Sequence, residues 1–595
     1  MKSDLDFEEV IFDHFNPGLQ PLELPLSRRI FWALIVFTGV VGFIALSRLF
    51  FLNVARGGFY GERAAVNINQ EKIIPANRGL ILDRFGEVLA RNNPSFSVSL
   101  KLNELFRARQ RFEETITRLP AILNLEKEEL VKIIQEANLE KKISVVVGRH
   151  LTSDQVINLK TLALPAVQVE DDYRREYLDG PVFAHILGYA GAGDSREEWR
   201  GKTGLEAFYD DRLRGKDGRL VIFRDVLGKE IEQKTMNVAQ PGEELTTAID
   251  GQFQKYFHDR LKTGLASFGQ RAGVGLALNP QNGEVLALIS LPEFDNNQPA
   301  QYLTAAREPL FNRAISGVYN PGSTIKPLVA FAALKEKIIS PDFEFYSPGY
   351  LELPNPFHPE EPSRFLDWRA HGMVNLYSAL ARSSNVYFYV LGGGYKNIRG
   401  LGIERLNKYW QSFHLDQPTG IDLPAEATGF LPHSEEKEKR TGQIWRIGDT
   451  YNVSIGQGDL SLTPIRLLSI IASLGNGGKV YRPKIIKDNL PPELEMDYSG
   501  SQTEIETVRA GLRDAVRKSY GTANLLAGLP RPVAGKTGSA QIAGNTKTNA
   551  FFVGYAPADN PQIAILILVE EAREGSLNAL PIARDVLDWY FTHRP

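Results

Sequence analysis

The most informative stretch of this chain is Y-N-P-G-S-T-I-K-P-L-V-A-F-A-A-L, which runs from Tyr319 to Leu334. The Asn-Pro-Gly run predicts a turn, and the uncharged run after Lys326 predicts a buried helix. A serine and a lysine three residues apart at a helix start share one face, so their side chains are expected within hydrogen-bonding reach. A desolvated lysine loses its charge and can take the serine proton. The stretch therefore predicts a serine nucleophile that needs no histidine.

The same Ser-x-x-Lys spacing occurs at Ser323–Lys326 and at Ser434–Lys437, so spacing alone does not identify the site. The second pair lies in the charged run Glu435–Arg440, which we expect to be an exposed loop. No apolar helix follows it, and its lysine would therefore stay hydrated and charged. The local context favours Ser323 and Lys326.

Two further short elements follow the first pair in the chain. A Ser-x-Asn string at Ser383–Asn385 comes after the helical run N-L-Y-S-A-L-A-R, whereas its copy at Ser576–Asn578 comes too late in the order. The string K-T-G occurs at Lys202–Gly204, Lys262–Gly264 and Lys536–Gly538, and only the last follows the Ser-Lys pair. Small residues around that last copy would let a strand edge approach a substrate backbone. The three elements in this order predict one catalytic site.

Taken together, the three elements resemble the signature of the class B penicillin-binding proteins, the monofunctional peptidoglycan transpeptidases. Three earlier segments resemble the non-catalytic pedestal of that family: Arg78–Ala90, His185–Tyr189 and Gly201–Asp210. The segment Gly448–Gly458 is similar to the elongation-type branch, with the septal (division) branch as the nearest alternative. The resemblance covers nearly everything after residue 52.

This resemblance implies a role for each residue of the site. The serine of the first element would be the acylated nucleophile and its lysine the general base, while the second element would relay the proton and bind the substrate amide. The third would hold the terminal carboxylate of a D-Ala-D-Ala stem peptide, with a serine hydroxyl where threonine is usual. The implied catalytic residues are Ser323, Lys326, Ser383, Asn385 and Lys536, and the implied substrate-binding residues are Thr537, Gly538 and Ser539. Backbone N–H groups of Ser323 and Ser539 would form the oxyanion hole.

The amino-terminal part of the chain predicts a membrane anchor. From Ile30 to Ser47 there are 18 uncharged residues, about 27 Å of helix against a hydrocarbon core of about 30 Å. A cleaved signal peptide is the alternative, but the apolar run is long for one and the preceding tail is acidic. Arginines flank the run on both sides, so charge leaves its orientation open.

The predicted domain order is a tail (1–29), a transmembrane helix (30–52), a pedestal (53–245) with an insert at about 102–169, and a transpeptidase domain (246–595). The pedestal is expected to be an α+β, dimerisation-like domain. The last part is expected to be an α/β, serine β-lactamase-like domain with an antiparallel sheet flanked by helices. Gly273–Leu278 and Glu284–Ser290 predict paired strands, Ile563–Glu570 a late strand, and Pro581–Tyr590 a closing helix.

Composition excludes several classes of function. The 595 residues carry a net charge of −3, which gives no basic field for nucleic acid. Cys is absent, which excludes disulfides and thiolate metal sites. Some relatives of the elongation branch hold zinc through a cysteine in the middle of the Ser-x-Asn element, where this chain has Ser384. Asp367 and His371 remain as possible ligands, and we expect neither metal nor cofactor.

The resemblance also implies partners and a location. It implies a glycan polymerase of the SEDS family (RodA-like) in the same membrane, an MreC-like protein of the elongation complex, peptidoglycan stem peptides and β-lactams. It places the tail in the cytoplasm and the catalytic body outside the inner membrane, in the periplasm. A D,D-carboxypeptidase, the septal branch and a catalytically silent scaffold remain alternatives, although the intact catalytic set disfavours a scaffold. The insert is expected to be either a packing subdomain or a partner-responsive surface.

Overall fold

The computed structural model describes residues 28–56, 69–137, 144–193, 199–224, 230–355, 360–542 and 546–594. Two compact units divide the chain, one of residues 1–73 and 219–237 and the other of residues 74–218 and 238–595.

Strands and helices are numbered along the chain. The strands are β1 (Asn69–Ile74), β2 (Ile81–Leu82), β3 (Val88–Lys101), β4 (Ser144–Gly148), β5 (Val167–Tyr177), β6 (Ala190–Ala192), β7 (Trp199–Gly201), β8 (Gly218–Arg224), β9 (Glu230–Asn237), β10 (Leu245–Thr246), β11 (Gly273–Leu278), β12 (Val285–Leu291), β13 (Phe345–Ser347), β14 (Tyr350–Leu353), β15 (Ser363–Leu366), β16 (Gly372–Val374), β17 (Lys479–Tyr481), β18 (Leu494–Asp497), β19 (Ala534–Ile542), β20 (Lys547–Ala556) and β21 (Ile563–Ala572). The helices are α1 (Arg28–Phe50), α2 (Leu102–Leu105), α3 (Arg109–Leu123), α4 (Lys127–Glu136), α5 (Ser153–Leu162), α6 (Gly180–Leu187), α7 (Gly204–Phe208), α8 (Asp210–Leu213), α9 (Gly251–Ser267), α10 (Lys326–Lys335), α11 (Leu376–Arg382), α12 (Asn385–Gly393), α13 (Gly402–Ser412), α14 (Ser434–Thr441), α15 (Ile447–Ser454), α16 (Pro464–Gly475), α17 (Gln502–Arg517) and α18 (Gly575–His593).

The first unit contains α1 and a three-stranded sheet in the order β1-β8-β9. Helix α1 continues as a π-helical turn, Phe51–Ala55. The segment Arg28–Val54 has a mean hydropathy of 2.4 in its most apolar window, and that window is not buried by the protein. It is therefore long and apolar enough to cross a membrane, as the sequence predicts.

The amino-terminal part of the second unit is built on a sheet in the order β10-β2-β3-β4, with β5 also paired to β3. The predicted insert contains β4 and the start of β5 as well as α2 to α5. In β4, Val145 and Val147 point to the same face and are buried with helix residues such as Leu119 and Ile133. The insert therefore forms, together with Val98 and Leu100 of β3, a small hydrophobic core that is separate from the two larger ones.

The carboxy-terminal part of the second unit surrounds an antiparallel sheet in the order β12-β11-β21-β20-β19. Alternate residues of β21 enter two different cores: Ile565 and Ile567 pack with side chains of α9 and α18, whereas Leu566 and Leu568 belong to the larger core that includes α10, α12 and α16. A sheet covered on both faces explains why this strand is apolar throughout. The sandwich of one sheet between helices agrees with the predicted fold class.

Two predicted elements need correction. The charged run Glu435–Arg440 is not a loop: it lies in α14, where Glu436 accepts a hydrogen bond from Arg440 at 2.8 Å and Gly442 ends the helix with a φ of 70°. Acidic residues in the first turn and basic residues in the last turn also stabilise this helix. The closing helix α18 starts at Gly575 and carries Pro581 in its interior, so its start was placed too late.

Candidate active site

Ser323 lies in a 3-10 turn, Gly322–Ile325, that leads directly into α10. The residues after it are buried, with Thr324, Ile325 and Lys326 all at 0% exposure, while Ser323 is partly exposed. Pro327 in the first turn of α10 has the φ that a helix start requires and lacks only an N–H that would have no helical partner. The sequence thus correctly predicts a turn feeding a buried helix, and the turn presents a serine at its surface.

Lys326 is fully buried, and its amine is hydrogen-bonded to protein acceptors. Its Nζ donates to the carbonyl oxygen of Ser383 at 2.8 Å, to Ser383 Oγ at 3.4 Å and to Asn385 Oδ1 at 2.8 Å. Burial lowers the pKa of Lys326 from 10.5 to about 7, against the opposing attraction of the Asp367 carboxylate. Near neutral pH this amine can therefore either hold or accept a proton.

Ser323 and Lys326 are expected within hydrogen-bonding reach, and the bonds of the amine in this structure go to other residues. Among the described residues no hydrogen bond joins Ser323 Oγ to Lys326 Nζ, because the three donors of the ammonium are directed at Ser383 and Asn385. An ammonium has three N–H donors and no acceptor until it loses a proton. Catalytic hydrogen bonds often tighten only when substrate binds.

The Ser-x-Asn element joins two helices end to end. Ser383 ends α11 with a φ of 57°, a left-handed conformation that is strained for a residue other than glycine. Ser384 begins α12, where its hydroxyl accepts a hydrogen bond from the N–H of Tyr387. This sharp junction turns Ser383 and Asn385 toward Lys326, which agrees with their predicted place in one site.

The K-T-G element lies on β19, the edge strand of the five-stranded sheet. Lys536 shares a strand face with Ala534 and Ala540, which belong to the larger core, and its Nζ donates to the carbonyl oxygen of Thr537 at 2.9 Å. Burial, followed by repulsion from Lys326, holds the pKa of Lys536 well below its usual value. The two lysines of the predicted site are therefore close enough to influence each other.

The next residues of β19 are tied to other parts of the site. Thr537 Oγ1 and Thr522 Oγ1 are 2.8 Å apart, and the N–H of Thr522 donates to the carbonyl oxygen of Ala381. Ser539 Oγ accepts from the N–H of Gly575 at 3.1 Å, and the Ser539 carbonyl accepts from Gln457 Nε2 at 3.2 Å. Thr522 thus links α11, the helix before the second element, to the third element.

Two glycines allow the nucleophile turn to approach its neighbours. A Cβ on Gly322, which has a φ of 54°, would lie 2.8 Å from the Ser539 carbonyl oxygen. A Cβ on Gly456, which has a φ of 77°, would lie 2.1 Å from the Gly322 carbonyl oxygen, and the N–H of Gly322 donates to the carbonyl oxygen of Gly456 at 2.9 Å. The turn Gly322–Ile325 is therefore held between the loop that joins α15 to α16 and the edge strand β19 at Ser539.

Sequence reasoning did not assign three residues of this arrangement. Gly456 and Gln457 lie in the segment Gly448–Gly458, which resembles the elongation-type branch but suggests no role for either residue. Thr522 has no local sequence signal, because its partners are distant in the chain. The sequence does signal Gly456, since a Gly-x-Gly string after a helix marks a turn with positive φ. Its contact with Gly322 depends on tertiary structure.

Asp367 organises the buried cluster behind the Ser-x-Asn element. Its Oδ2 accepts hydrogen bonds from Ser384 Oγ at 2.8 Å and from the N–H of Val386 at 3.0 Å, and its Oδ1 lies 3.4 Å from Nε2 of the buried His371. Burial alone would raise the pKa of Asp367, but the His371 contact, the Lys326 amine and backbone N–H groups outweigh it and lower the pKa to about 2. The carboxylate is therefore charged at neutral pH.

This cluster does not match a zinc site. A hydroxyl stands where a thiolate ligand would be, and it is already used as a donor to Asp367. The described part of the chain has no group of three or more His, Cys, Asp and Glu side chains placed to hold a metal ion. Asp367 is hydrogen-bonded to Ser384 and Val386, whereas both ring nitrogens of the buried His371 have no hydrogen-bond partner among the described residues. The need for no metal stays a prediction.

Three of the other copies of the motifs lie in other surroundings, whereas the Ser-x-Asn copy at Ser576–Asn578 directly follows Gly575, which donates to Ser539 Oγ. Lys437 forms an ion pair with Asp449 at 2.6 Å. Lys262 is in the middle of α9 and forms an ion pair with Glu293 at 2.6 Å. Gly204 begins α7 in the pedestal, as the family resemblance implies. None of these copies has a described hydrogen bond to Ser323, Ser383 or Lys536.

A substitution at Gly456 tests whether its close approach maintains the site. Gly456→Ala should lower the free energy of unfolding by about 1–2 kcal/mol because of the left-handed backbone. Displacement of Gly322 should lower it by a further ~1–3 kcal/mol. Gly442→Ala is the matched control, because its φ of 70° is similar but nothing lies within 4 Å of its Cβ. Thermal unfolding of the full chain in detergent measures both costs. Equal losses in the two variants would contradict the account.

Comparison with known proteins places this geometry in a family. The penicillin binding protein transpeptidase domain matches residues 273–588, and the penicillin-binding protein dimerisation domain matches residues 73–247. Peptidoglycan D,D-transpeptidase MrdA of Haemophilus influenzae is 30% identical over 640 residues, covering 98% of this chain and 95% of that protein.

Solved structures agree with the sequence comparison. The complex between PBP2 and MreC from Helicobacter pylori aligns with a TM-score of 0.76 at 26% identity, covering 89% of this chain and 100% of that chain. A peptidoglycan synthase complex, described for its coordination of polymerization and crosslinking, aligns with a TM-score of 0.66 at 26% identity, covering 96% of this chain and 99% of that chain. The transpeptidase match alone spans more than half of the chain. The chain belongs to the penicillin-binding protein transpeptidase family.

Proposed function

We propose that this protein is a peptidoglycan D,D-transpeptidase of the elongation type, which cross-links stem peptides through a serine acyl-enzyme. One observation carries the proposal: Lys326 begins the helix that follows Ser323, and its buried amine donates hydrogen bonds to both Ser383 and Asn385. The pKa of about 7 allows this amine to act as a base near neutral pH. The name and structure of the relatives support the same activity.

In the first step, Ser323 Oγ attacks the carbonyl carbon between the two terminal D-alanines of a donor stem peptide. The hydroxyl proton passes to the neutral Lys326, with Ser383 placed to relay it, because its Oγ lies 3.4 Å from the amine. Backbone N–H groups of Ser323 and Ser539 would stabilise the oxyanion, each worth on the order of 3 kcal/mol. The C–N bond then breaks, and the terminal D-alanine leaves with a proton returned through the same groups.

Substrate binding is assigned to the third element and to Asn385. Lys536, Thr537, Gly538 and Ser539 would receive the terminal carboxylate of the donor along the edge strand β19, and Asn385 would bind a substrate amide. A Cβ on Gly538 would lie 2.8 Å from a methyl carbon of Thr324, so the glycine keeps the strand close to the nucleophile turn. In the second step an acceptor amine attacks the ester carbonyl and gives a proton to the neutral Lys326. The C–O bond to Ser323 then breaks, the proton passes to Ser323 Oγ, and the cross-link forms.

The proposal also covers the domain boundaries, the partners and the membrane orientation of the chain. We propose the boundaries 1–29, 30–52, 53–245 and 246–595 for tail, membrane helix, pedestal and catalytic domain, which the matches at 73–247 and 273–588 support. The relatives solved with MreC and in a peptidoglycan synthase complex support an MreC-like partner and a SEDS-family, RodA-like polymerase partner. In this proposal the tail is cytoplasmic and the catalytic body is periplasmic.

Covalent labelling tests the proposed nucleophile. Full-length protein in detergent should bind a fluorescent penicillin at a single serine, found by peptide mapping to be Ser323. Ser323→Ala should abolish the label at unchanged melting temperature, because no described residue forms a hydrogen bond with Ser323 Oγ. Ser434→Ala, in the other Ser-x-x-Lys pair, is the control and should label normally.

Product analysis separates this function from its alternatives. With donor and acceptor stem peptides, a transpeptidase gives a cross-linked dimer, whereas a carboxypeptidase gives only the shortened donor. Label that persists in Ser323→Ala would overturn the nucleophile, and absence of label in the wild-type protein would favour a silent scaffold.

The orientation of the chain in the membrane can be tested with single introduced cysteines, because the sequence contains no cysteine of its own. Single cysteines introduced by Ser3→Cys and by Lys439→Cys should react differently with a membrane-impermeant maleimide in intact, outer-membrane-permeabilised cells. In these cells the cysteine at position 439 should be labelled and the cysteine at position 3 should not. The cysteine at position 3 should be labelled after the cells are lysed. The reverse pattern would show that the chain is inserted the other way.

A further inference from the structure

A cationic and aromatic surface borders the Ser-x-Asn element, and the proposed donor chemistry does not use it. We call it the rim; it consists of Trp368, Arg369, Arg382 and Tyr520. The guanidinium carbon of Arg369 lies 4.2 Å from the centre of the Trp368 ring, and that of Arg382 lies 4.2 Å from the centre of the Tyr520 ring. Each arginine is thus stacked on an aromatic face, an arrangement that orders the guanidinium.

The rim is fixed to the catalytic residues by short connections. Trp368 Nε1 donates to the carbonyl oxygen of Arg382, the residue directly before Ser383, at 3.2 Å. Asp367, directly before Trp368, holds the start of α12 through its bond to the N–H of Val386. Tyr520 lies two residues before Thr522, which contacts Thr537 on the edge strand. The rim therefore belongs to the cleft, between its second and third elements.

The two arginines of the rim have charge to offer a ligand. Among the described residues, no carboxylate lies within ion-pair distance of Arg369 or Arg382. Arg382 is partly engaged, since its Nη1 donates to the carbonyl oxygen of His371 at 2.8 Å, while its Nε is buried without a partner. Arg369 is exposed and its described interaction is the stacking on Trp368, a ring that is itself 55% exposed. A stacked guanidinium keeps its N–H edge available for bidentate bonds to a carboxylate.

We infer that the rim binds the acceptor stem peptide through one of its carboxylates. The inference rests on the proposed function: transpeptidation brings two peptides to one serine, and Lys536 with its neighbours already serves the terminal carboxylate of the donor. The rim is a second cationic surface beside Ser383, so its charge is complementary to that of a second, anionic peptide. The aromatic rings offer apolar contact area for the peptide chain between its charged groups.

The test separates the acceptor from the donor by blocking the donor site. Full-length protein in detergent is first acylated with unlabelled penicillin, so that no turnover occurs. Binding of a dye-labelled stem pentapeptide to this penicilloyl-protein is then measured by fluorescence anisotropy. The probe is used in two forms, one with free carboxylates and one with every carboxylate converted to a carboxamide.

We expect the carboxylate form to bind the wild-type penicilloyl-protein about tenfold more tightly than the carboxamide form, as a charge-assisted contact allows. Arg369→Gln should remove this difference while leaving the rate of penicillin acylation within twofold. Arg364→Gln is the matched control: this arginine also stacks on an aromatic ring, at 5.2 Å from the centre of Tyr350, but its charge is paired with Glu352 at 2.6 Å. It should keep the full discrimination.

Each other outcome overturns the inference in a recognisable way. Equal discrimination in Arg369→Gln and Arg364→Gln, or no saturable binding to the penicilloyl-protein, would show that the rim is not an acceptor site. Slower penicillin acylation in Arg369→Gln would assign the rim to the donor instead. Failure of the wild-type protein to become acylated would overturn the proposed function itself, which is a separate result.

Discussion

The burial of one amine governs the chemistry that this protein can perform. Lys326 begins a helix whose residues are enclosed in the larger core, and its Nζ has protein acceptors on Ser383 and Asn385 in place of water. An ammonium in such surroundings loses part of its hydration free energy, and the pKa falls from 10.5 to about 7. The nearby Asp367 carboxylate limits this fall, because it favours the charged amine. The balance of burial and one buried carboxylate therefore keeps the lysine ready to exchange a proton near neutral pH.

The rest of the site is organised around this amine by close backbone contacts. Glycines at positions 322, 456 and 538 let the nucleophile turn, the loop before α16 and the edge strand β19 approach within distances that a Cβ would prevent. The sheet carries Lys536 on the face that meets the helical core, where its pKa is lowered by burial and then by the charge of Lys326. Such contacts leave little freedom for the reacting groups, which is how a rigid scaffold reduces the entropy cost of reaction.

Much of this arrangement could be predicted from sequence because its signals are local. The turn and the apolar run around Ser323, the strands β11, β12 and β21, and the amino-terminal apolar helix all follow from residues adjacent in the chain. The partners of Lys326 could not be predicted in detail, since Ser383 and Asn385 lie 57 and 59 residues away and their contact depends on packing. Spacing predicts that Ser323 and Lys326 lie within reach of each other, but it does not predict that, among the described residues, the amine bonds to Ser383 and Asn385 instead. Helix α14 shows the opposite error, since the charged run is expected from sequence to be an exposed loop, although its charges pair along a helix.

The pH dependence of acylation tests most directly whether Lys326 acts as a neutral base. The second-order rate constant for penicillin acylation of the full-length protein should rise with pH and be half-maximal near pH 7, because the protonated amine cannot accept the Ser323 proton below its pKa of about 7. A rate constant that does not change between pH 5.5 and 8.5, or that rises only toward the ordinary lysine pKa of 10.5, would contradict the account.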